Sequence, residues 1–391
     1  MTTALSSELS ALPADLQSRL TKLGFRAPDL EGWAASVGKG RDLRNRLIGD
    51  VAAPAKDDVD DAATAGSGEH ARLAQQGLDC LKRGQLALCV LAGGMATRMG
   101  SVVKALVEAL PAADGKPAQT FLDLRLRERE VLSERAGKEI PLWLMTSEAT
   151  DGPIRAALGD RLGKNVETFL QCASLRLTES GTLFRDEAGE PDVYATGHGD
   201  LPAALRKSGL LDRFLEERGR GAATSPGEPP YVWIANLDNL GASIDESILG
   251  YHVEHGTSLT VELVDKVEGD RGGIPIRWNG RPIVAEEFRL PVGFDPTTVR
   301  VFNTNTFLIS AAALAAVGDE FTYVEVEKTV GGKKAIQFER LLGEITTMVP
   351  TRFLRVPRSG PTSRFLPVKD VPELERRRSE IDAALRARGI L

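Results

Sequence analysis

The residues with chemical potential gather just after short apolar runs. The first group is Leu91-Ala-Gly93-Gly94-Met-Ala96-Thr-Arg98-Met-Gly100, which closes the run LALCVL at Leu86–Leu91. Glycines let backbone N–H groups approach a phosphate closely, and a turn into a helix N-terminus favours negative charge. Arg98 and Lys104 add positive charge. The segment is neither a P-loop nor a G-x-G-x-x-G fingerprint. Its alternative is a tight strand-to-helix turn without a ligand.

The second group, Gly197-His198-Gly199-Asp200, reads as an exposed turn whose bare backbone a planar base can stack on or hydrogen-bond to. An ordinary loop is the alternative. The third, Asn236-Leu-Asp238-Asn239, follows YVWIA at 231–235. A carboxylate at the carboxyl edge of a strand suits Mg²⁺, which takes oxygen ligands and keeps waters and substrate phosphates. A helix N-cap is an equal alternative. The fourth group is Glu286, Asn303, Asn305, Gln337 and Glu339, whose amides and carboxylates suit sugar hydroxyls, although such residues are commonly surface or turn positions. The fifth is Arg364-Phe-Leu-Pro-Val-Lys369. Its lysine is flanked by apolar residues that can hold it as a compact phosphate-binding charge. A solvated surface lysine is the alternative.

The elements that must position these groups are legible in outline. Apolar runs at 86–91, 140–145, 231–235, 259–264 and 301–309 are separated by several helical-looking stretches. Buried strands alternating with helices predict an α/β fold with a mainly parallel sheet covered on both faces. Ligands in such sheets lie beyond the carboxyl ends of strands. That rule selects Gly93 onward, Thr146-Ser147, Asn236–Asn239 and Asn303–Asn305. Residues 1–84 read as a helical N-terminal region. Leu9, Leu12, Leu16 and Leu20 recur at helical spacing, with Leu43 and Leu47 as a further pair. Within it, residues 52–69 are acidic and small, and predict a linker or exposed loop. Residues 85–370 form the α/β unit, and 371–391 a charged C-terminal helix.

Composition excludes several classes. A formal charge of −6 over 391 residues argues against a nucleic-acid binder. Three widely spaced cysteines, Cys80, Cys89 and Cys172, fit neither a disulfide framework nor a zinc site and imply a reducing cytoplasm. The N-terminus shows no secretory signal, and no apolar run approaches the ~20 residues that span a bilayer.

In this order the motifs resemble the UDP-sugar pyrophosphorylase family from about Leu86 to Lys369, and read most like its eukaryotic-type UTP–glucose-1-phosphate uridylyltransferases. The most specific stretch is Gly197-His-Gly-Asp200, Ser208-Gly-Leu-Leu-Asp212 and Asn236-Leu-Asp-Asn-Leu-Gly-Ala-Ser-Ile-Asp245. Phe302-Asn-Thr-Asn305, Gln337-Phe-Glu339 and Arg364–Lys369 follow in the family's order. The resemblance implies a Rossmann-like mixed sheet of the nucleotide-diphospho-sugar transferase type. It also implies Mg²⁺-dependent joining of UTP to a sugar 1-phosphate, with release of pyrophosphate. It implies roles as well. The Gly93–Gly100 loop holds the phosphates and borders the uracil, and Gln171 reads the uracil. Gly197 and His198 line the uridine and phosphate site. Asp238 binds Mg²⁺, with Asn236 near the ribose or sugar. Glu286, Asn303 and Asn305 hold the hexose. Arg98, Lys104 and Lys369 offset phosphate charge, with Lys369 ranked above Lys104.

Three departures stand out. Ala96 occupies a usual glycine. The family's Pro-Lys five residues after the loop is missing; Lys104 falls one residue early, and Lys116 is the alternative. The tail after Lys369 leaves no room for the family's C-terminal β-helix, so monomer and small homo-oligomer both stay open. Competing readings are the same chemistry on N-acetylglucosamine 1-phosphate, a catalytically silent UDP-sugar-binding protein, and a dinucleotide-dependent oxidoreductase without the fingerprint.

Overall fold

The apolar runs become the centre of one eight-stranded sheet. The computed structural model describes residues 4–38, 45–96, 99–100, 102–113, 115, 117–221, 229–270, 272–319 and 321–391. In chain order the strands are β1 (Val59–Asp61), β2 (Leu86–Leu91), β3 (Leu142–Thr146), β4 (Val166–Leu170), β5 (Tyr231–Asn236), β6 (Leu259–Asp265), β7 (Val301–Ser310) and β8 (Thr351–Arg355). Across the sheet they run β1-β8-β6-β7-β5-β2-β3-β4. All point one way except β7, which is antiparallel to both β5 and β6. Strands β2, β3 and β5 are buried along nearly their whole length, which is why their sequences are continuous apolar runs instead of alternating ones.

Helices cover both faces. Helix α1 (Gly68–Lys82) crosses α2 (Glu246–His255) at two glycines. A Cβ on Gly77 would lie 1.9 Å from the Glu246 carbonyl oxygen, and one on Gly250 would lie 1.9 Å from that of Leu73. Only glycine lets these backbones approach so closely. The C-terminal helix spans Val371–Ala387, capped by Asp370 and packed through Leu374, Ile381, Ala384 and Leu385.

The segment expected as a linker, residues 52–69, instead contains the edge strand β1. Val59 and its neighbours pair parallel to β8, with Asp60 bonded to Arg352 and Tyr251 and Asp61 bonded to Arg355. One valine among acidic residues carries almost no strand pattern, and the β8 residues that fix it lie far along the chain. The acidic side chains also suit an edge, since charge there blocks unwanted pairing.

The N-terminal helices Ala4–Ser10, Ala14–Lys22 and Ala27–Ala34 form as expected and make a second core. Leu5, Leu9, Leu12, Leu16, Leu20 and Leu30 are buried with Leu175, Leu177, Leu183, Ile336 and Phe338. Leu43 lies outside the described residues. No helix among the described residues is long and apolar enough to cross a membrane.

Candidate active site

At the carboxyl edge of β2 and β5 the structure opens a cavity of about 330 Å³. It is lined by Leu91, Gly93, Gly94, Lys104, Met145, Gln171, His198, Asn236, Leu237 and Asp238. Seven residues singled out in the sequence therefore meet in one place.

Gly93 and Gly94 follow β2, pinned by Ser147, whose Oγ donates to the Gly93 carbonyl at 2.9 Å. A Cβ on Gly93 would lie 2.9 Å from Gln171 Oε1, so glycine here makes room for the glutamine side chain. Gly94 faces open space. Directly after Gly94 the chain continues as the short strand Met95–Ala96 in place of a helix. Met95–Ala96 pairs antiparallel with Val102–Val103. Among the described residues, positive charge at this loop comes from the Lys104 side chain. The Lys104 ammonium donates to Asp238, both side chains being under one-fifth exposed. Arg98 and the alternative Lys116 lie outside the described residues.

Asp238 is not a helix N-cap. That role belongs to Asp245, which accepts from the Ser247 and Ile248 N–H groups. The turn bearing Asp238 is fixed from beneath. Buried Arg125 pairs with Glu128 and donates to the Asn236 and Asn239 carbonyls at 2.8 and 2.7 Å. Glu128 also accepts from the Ile244 N–H at 2.7 Å. Asn239 Oδ1 accepts from the Leu366 N–H at 2.7 Å, and its amide donates to the Arg364 carbonyl. Arg364 is 2% exposed and forks onto Glu262 at 3.0 and 2.6 Å, while donating to the Ser243 carbonyl. The fifth motif thus braces the third.

The antiparallel β7 brings its early residues to the carboxyl edge of its neighbours. Three residues, 304–306, stand against the single Glu262 in a bulge. Asn305 adopts φ +60°, and its amide donates to Asn236 Oδ1 at 2.8 Å. Bulges re-aim side chains in this way. Asn303 turns inward onto the Asn305 N–H at 2.9 Å.

Gly197 and Gly199 are explained by packing instead of bare backbone offered to a ligand. At φ +105° a Cβ on Gly197 would lie 2.5 Å from the Arg340 carbonyl oxygen, and one on Gly199 would lie 2.6 Å from the Arg340 carbonyl carbon. This close approach aims His198. Its Nδ1 accepts from the Leu342 N–H at 2.8 Å, which leaves the proton on Nε2. Burial holds the imidazole below its ordinary value, so His198 lines the cavity as a neutral donor.

Other expected residues do not line this cavity. Glu286 ends the strand Arg281–Glu286 of a separate three-stranded sheet. Burial, with Glu287 and Glu344 nearby, pushes its carboxyl up to about 7. Gln337 bonds Arg176 and Glu339. Lys369 is exposed, and its backbone N–H donates to Glu373. Ser147, which the carboxyl-edge rule selects, does meet Gly93. Arg125, Glu128 and Glu262 were not singled out; in sequence, an Arg and a Glu three apart on a helix read as a solvated pair.

The sheet order, with a cavity at its carboxyl edge, defines an α/β fold shared with solved UDP-sugar pyrophosphorylases. A point mutant of the UDP-glucose pyrophosphorylase from Leishmania major, solved in complex with UDP-glucose, superposes with TM-score 0.70 at 21% identity, covering 96% of this chain and 79% of that one. The uridine diphosphate N-acetylglucosamine pyrophosphorylase from Trypanosoma brucei gives TM-score 0.73 at 19% identity, covering 95% and 81%. The chain belongs to the UTP–glucose-1-phosphate uridylyltransferase family, whose model matches residues 50–381. Relatives of that name include those of Astragalus penduliflorus, 31% identical over 307 residues, and Hordeum vulgare, 30% over 316. The alignments cover 74% and 76% of this chain but only 61% and 63% of those relatives.

Proposed function

We propose that the protein transfers the uridylyl group of UTP to a sugar 1-phosphate, glucose 1-phosphate foremost, and releases pyrophosphate. The observation that supports this most is the single cavity joining Gly93, Gly94, Lys104, Gln171, His198, Asn236 and Asp238. The family membership supports it from sequence.

An oxygen of the sugar phosphate is the nucleophile. It is already an anion at neutral pH, so no proton need be removed and no Ser–His or Cys–His pair is required. A new P–O bond forms to the α-phosphorus of UTP. The bond from that phosphorus to its β-bridging oxygen breaks, and pyrophosphate leaves with the electron pair. Charge repulsion between the two substrates is the main barrier. Lys104, the Gly94 backbone and the neutral donor His198 offset it, and the remaining work is positioning. Asn236, oriented by Asn305, is the contact at the sugar end. Lys369 is an outer phosphate contact; Glu286 and Asn303 are outer hexose contacts.

Mg²⁺ fits the donor set. Among the described residues no three His, Cys, Asp or Glu side chains gather, and Asp238 is the only carboxylate lining the cavity. One carboxylate plus substrate phosphates and waters suits this ion. When bound it supplies positive charge at the phosphates. The three cysteines, all in the thiol form, support a cytoplasmic setting.

Pyrophosphate release from UTP across a panel of sugar 1-phosphates tests the reading. Release is expected with glucose 1-phosphate above N-acetylglucosamine 1-phosphate. UDP-glucose binding without release under any combination would overturn it in favour of a silent binding protein.

A further inference from the structure

A second cavity, about 310 Å³, abuts the first and shares Gly93 and Gln171 with it. The two differ in chemistry. The first carries Lys104 and Asp238. The second is walled by Leu23, Met95, Ala149, Val193 and Tyr194. Its two charged side chains are already matched: Glu148 pairs with Arg19 at 2.9 Å, and Arg176 with Asp192 at 2.8 Å. A neutral planar group suits the second cavity, as anionic groups suit the first.

One wall comes from the N-terminal helical region. Leu23 closes the helix Ala14–Lys22, and its carbonyl accepts from the Ala173 N–H at 3.1 Å, two residues beyond Gln171. Gly24 follows at φ +80°, with Cys172 Sγ 3.2 Å from where a Cβ would stand. Lys207 donates to the Lys22 carbonyl. Behind these anchors the leucine-rich second core keeps the helix in place.

From this we infer that Leu23 is a binding residue: the cap of this N-terminal helix is a wall of the nucleoside end of the site, and the pyrimidine ring packs on Leu23 while Gln171 bonds its edge. The inference rests on the proposed uridylyl transfer. It makes the N-terminal region part of the substrate site, beyond its packing against the rest of the molecule.

Calorimetry with UTP and with phosphate-free uridine, paired with steady-state kinetics, tests it on the full chain. Leu23→Ala is expected to weaken both ligands about tenfold, in line with loss of a buried apolar contact, and to raise KM for UTP by a similar factor. The KM for sugar 1-phosphate and kcat at saturation should stay within about twofold, since only the base end changes. Leu23→Met, which conserves volume, should restore binding. If Leu23→Ala does not fold, Leu23→Val, which removes one methylene from the buried side chain, carries the same comparison with a smaller shift. Uridine and UTP binding unchanged in the folded variant would overturn the role of Leu23 while leaving uridylyl transfer intact. Absence of uridine-nucleotide binding by the unaltered protein would instead overturn the transfer reading itself.

Discussion

The Lys104 ammonium reaches across 134 residues of chain to donate to the Asp238 carboxylate in the cavity at the carboxyl edge of β2 and β5. The pair holds a cation and a carboxylate ready at the same point. Asp238→Asn is expected to leave a folded protein whose turnover in Mg²⁺ falls about 10²–10³-fold, by analogy with loss of one transition-state charge contact. Lys104→Ala should fall in the same range, and Lys369→Ala far less. This reverses the order drawn from the motifs, because Lys104 lines the cavity and Lys369 does not. Steady-state kcat of the three variants checks it; a greater loss in Lys369→Ala would move the phosphates away from Lys104.

Arg364 and Glu262 form a buried fork under the Asn239 turn. Breaking it from one side leaves an uncompensated charge. Arg364→Met should therefore cost about 3–5 kcal/mol of stability, read by urea unfolding. Pairing it with Glu262→Leu should recover much of that loss. A double variant no better than the single one would show that the Ser243 carbonyl, and not Glu262, is what the guanidinium serves.

Glu286 gives a pH-dependent test. Its folded carboxyl stands near 7 against an ordinary 4.5, chiefly from burial. A raised carboxyl contributes stability that is full below 4.5 and is lost as pH rises to 7. Glu286→Gln removes that loss. Relative to the unaltered protein, the variant's melting temperature should rise between about pH 5 and pH 8. A difference that stays flat over this window would mean the carboxyl titrates normally.

Gly250 and Gly77 permit the crossing of α1 and α2. Gly250→Ala places a methyl where the Leu73 carbonyl stands, so the helices must part. A loss of about 1–3 kcal/mol is expected, seen as a lower denaturation midpoint. No change would mean the crossing relaxes freely.

Much of this was legible beforehand, for definable reasons. Strands β2, β3 and β5 announce themselves because burial on both faces demands nearly unbroken apolar runs, and β6 and β7 through apolar runs that polar residues interrupt. Gly93, Asn236 and Asp238 follow from the carboxyl-edge rule. The direction of β7 was not legible, since a buried strand's sequence does not encode its polarity, so the approach of Asn305 to Asn236 emerges only in three dimensions. Nor were the braces: Arg125 and Glu128 look like a surface pair until their helix is seen to be covered on that side. Gly197 and Gly199 were legible as special backbone, but their reason, Arg340, is remote in sequence.

The single reversed strand has a consequence during synthesis. Residues 86–236 can assemble β5-β2-β3-β4 as soon as they have emerged, but the free flank of β5, with its run YVWIAN, then waits for β7. Until residue 310 is made, a long apolar edge stands open, and such edges recruit other chains. Fragments that stop short of β7 should clump, whereas those that include it should remain dispersed.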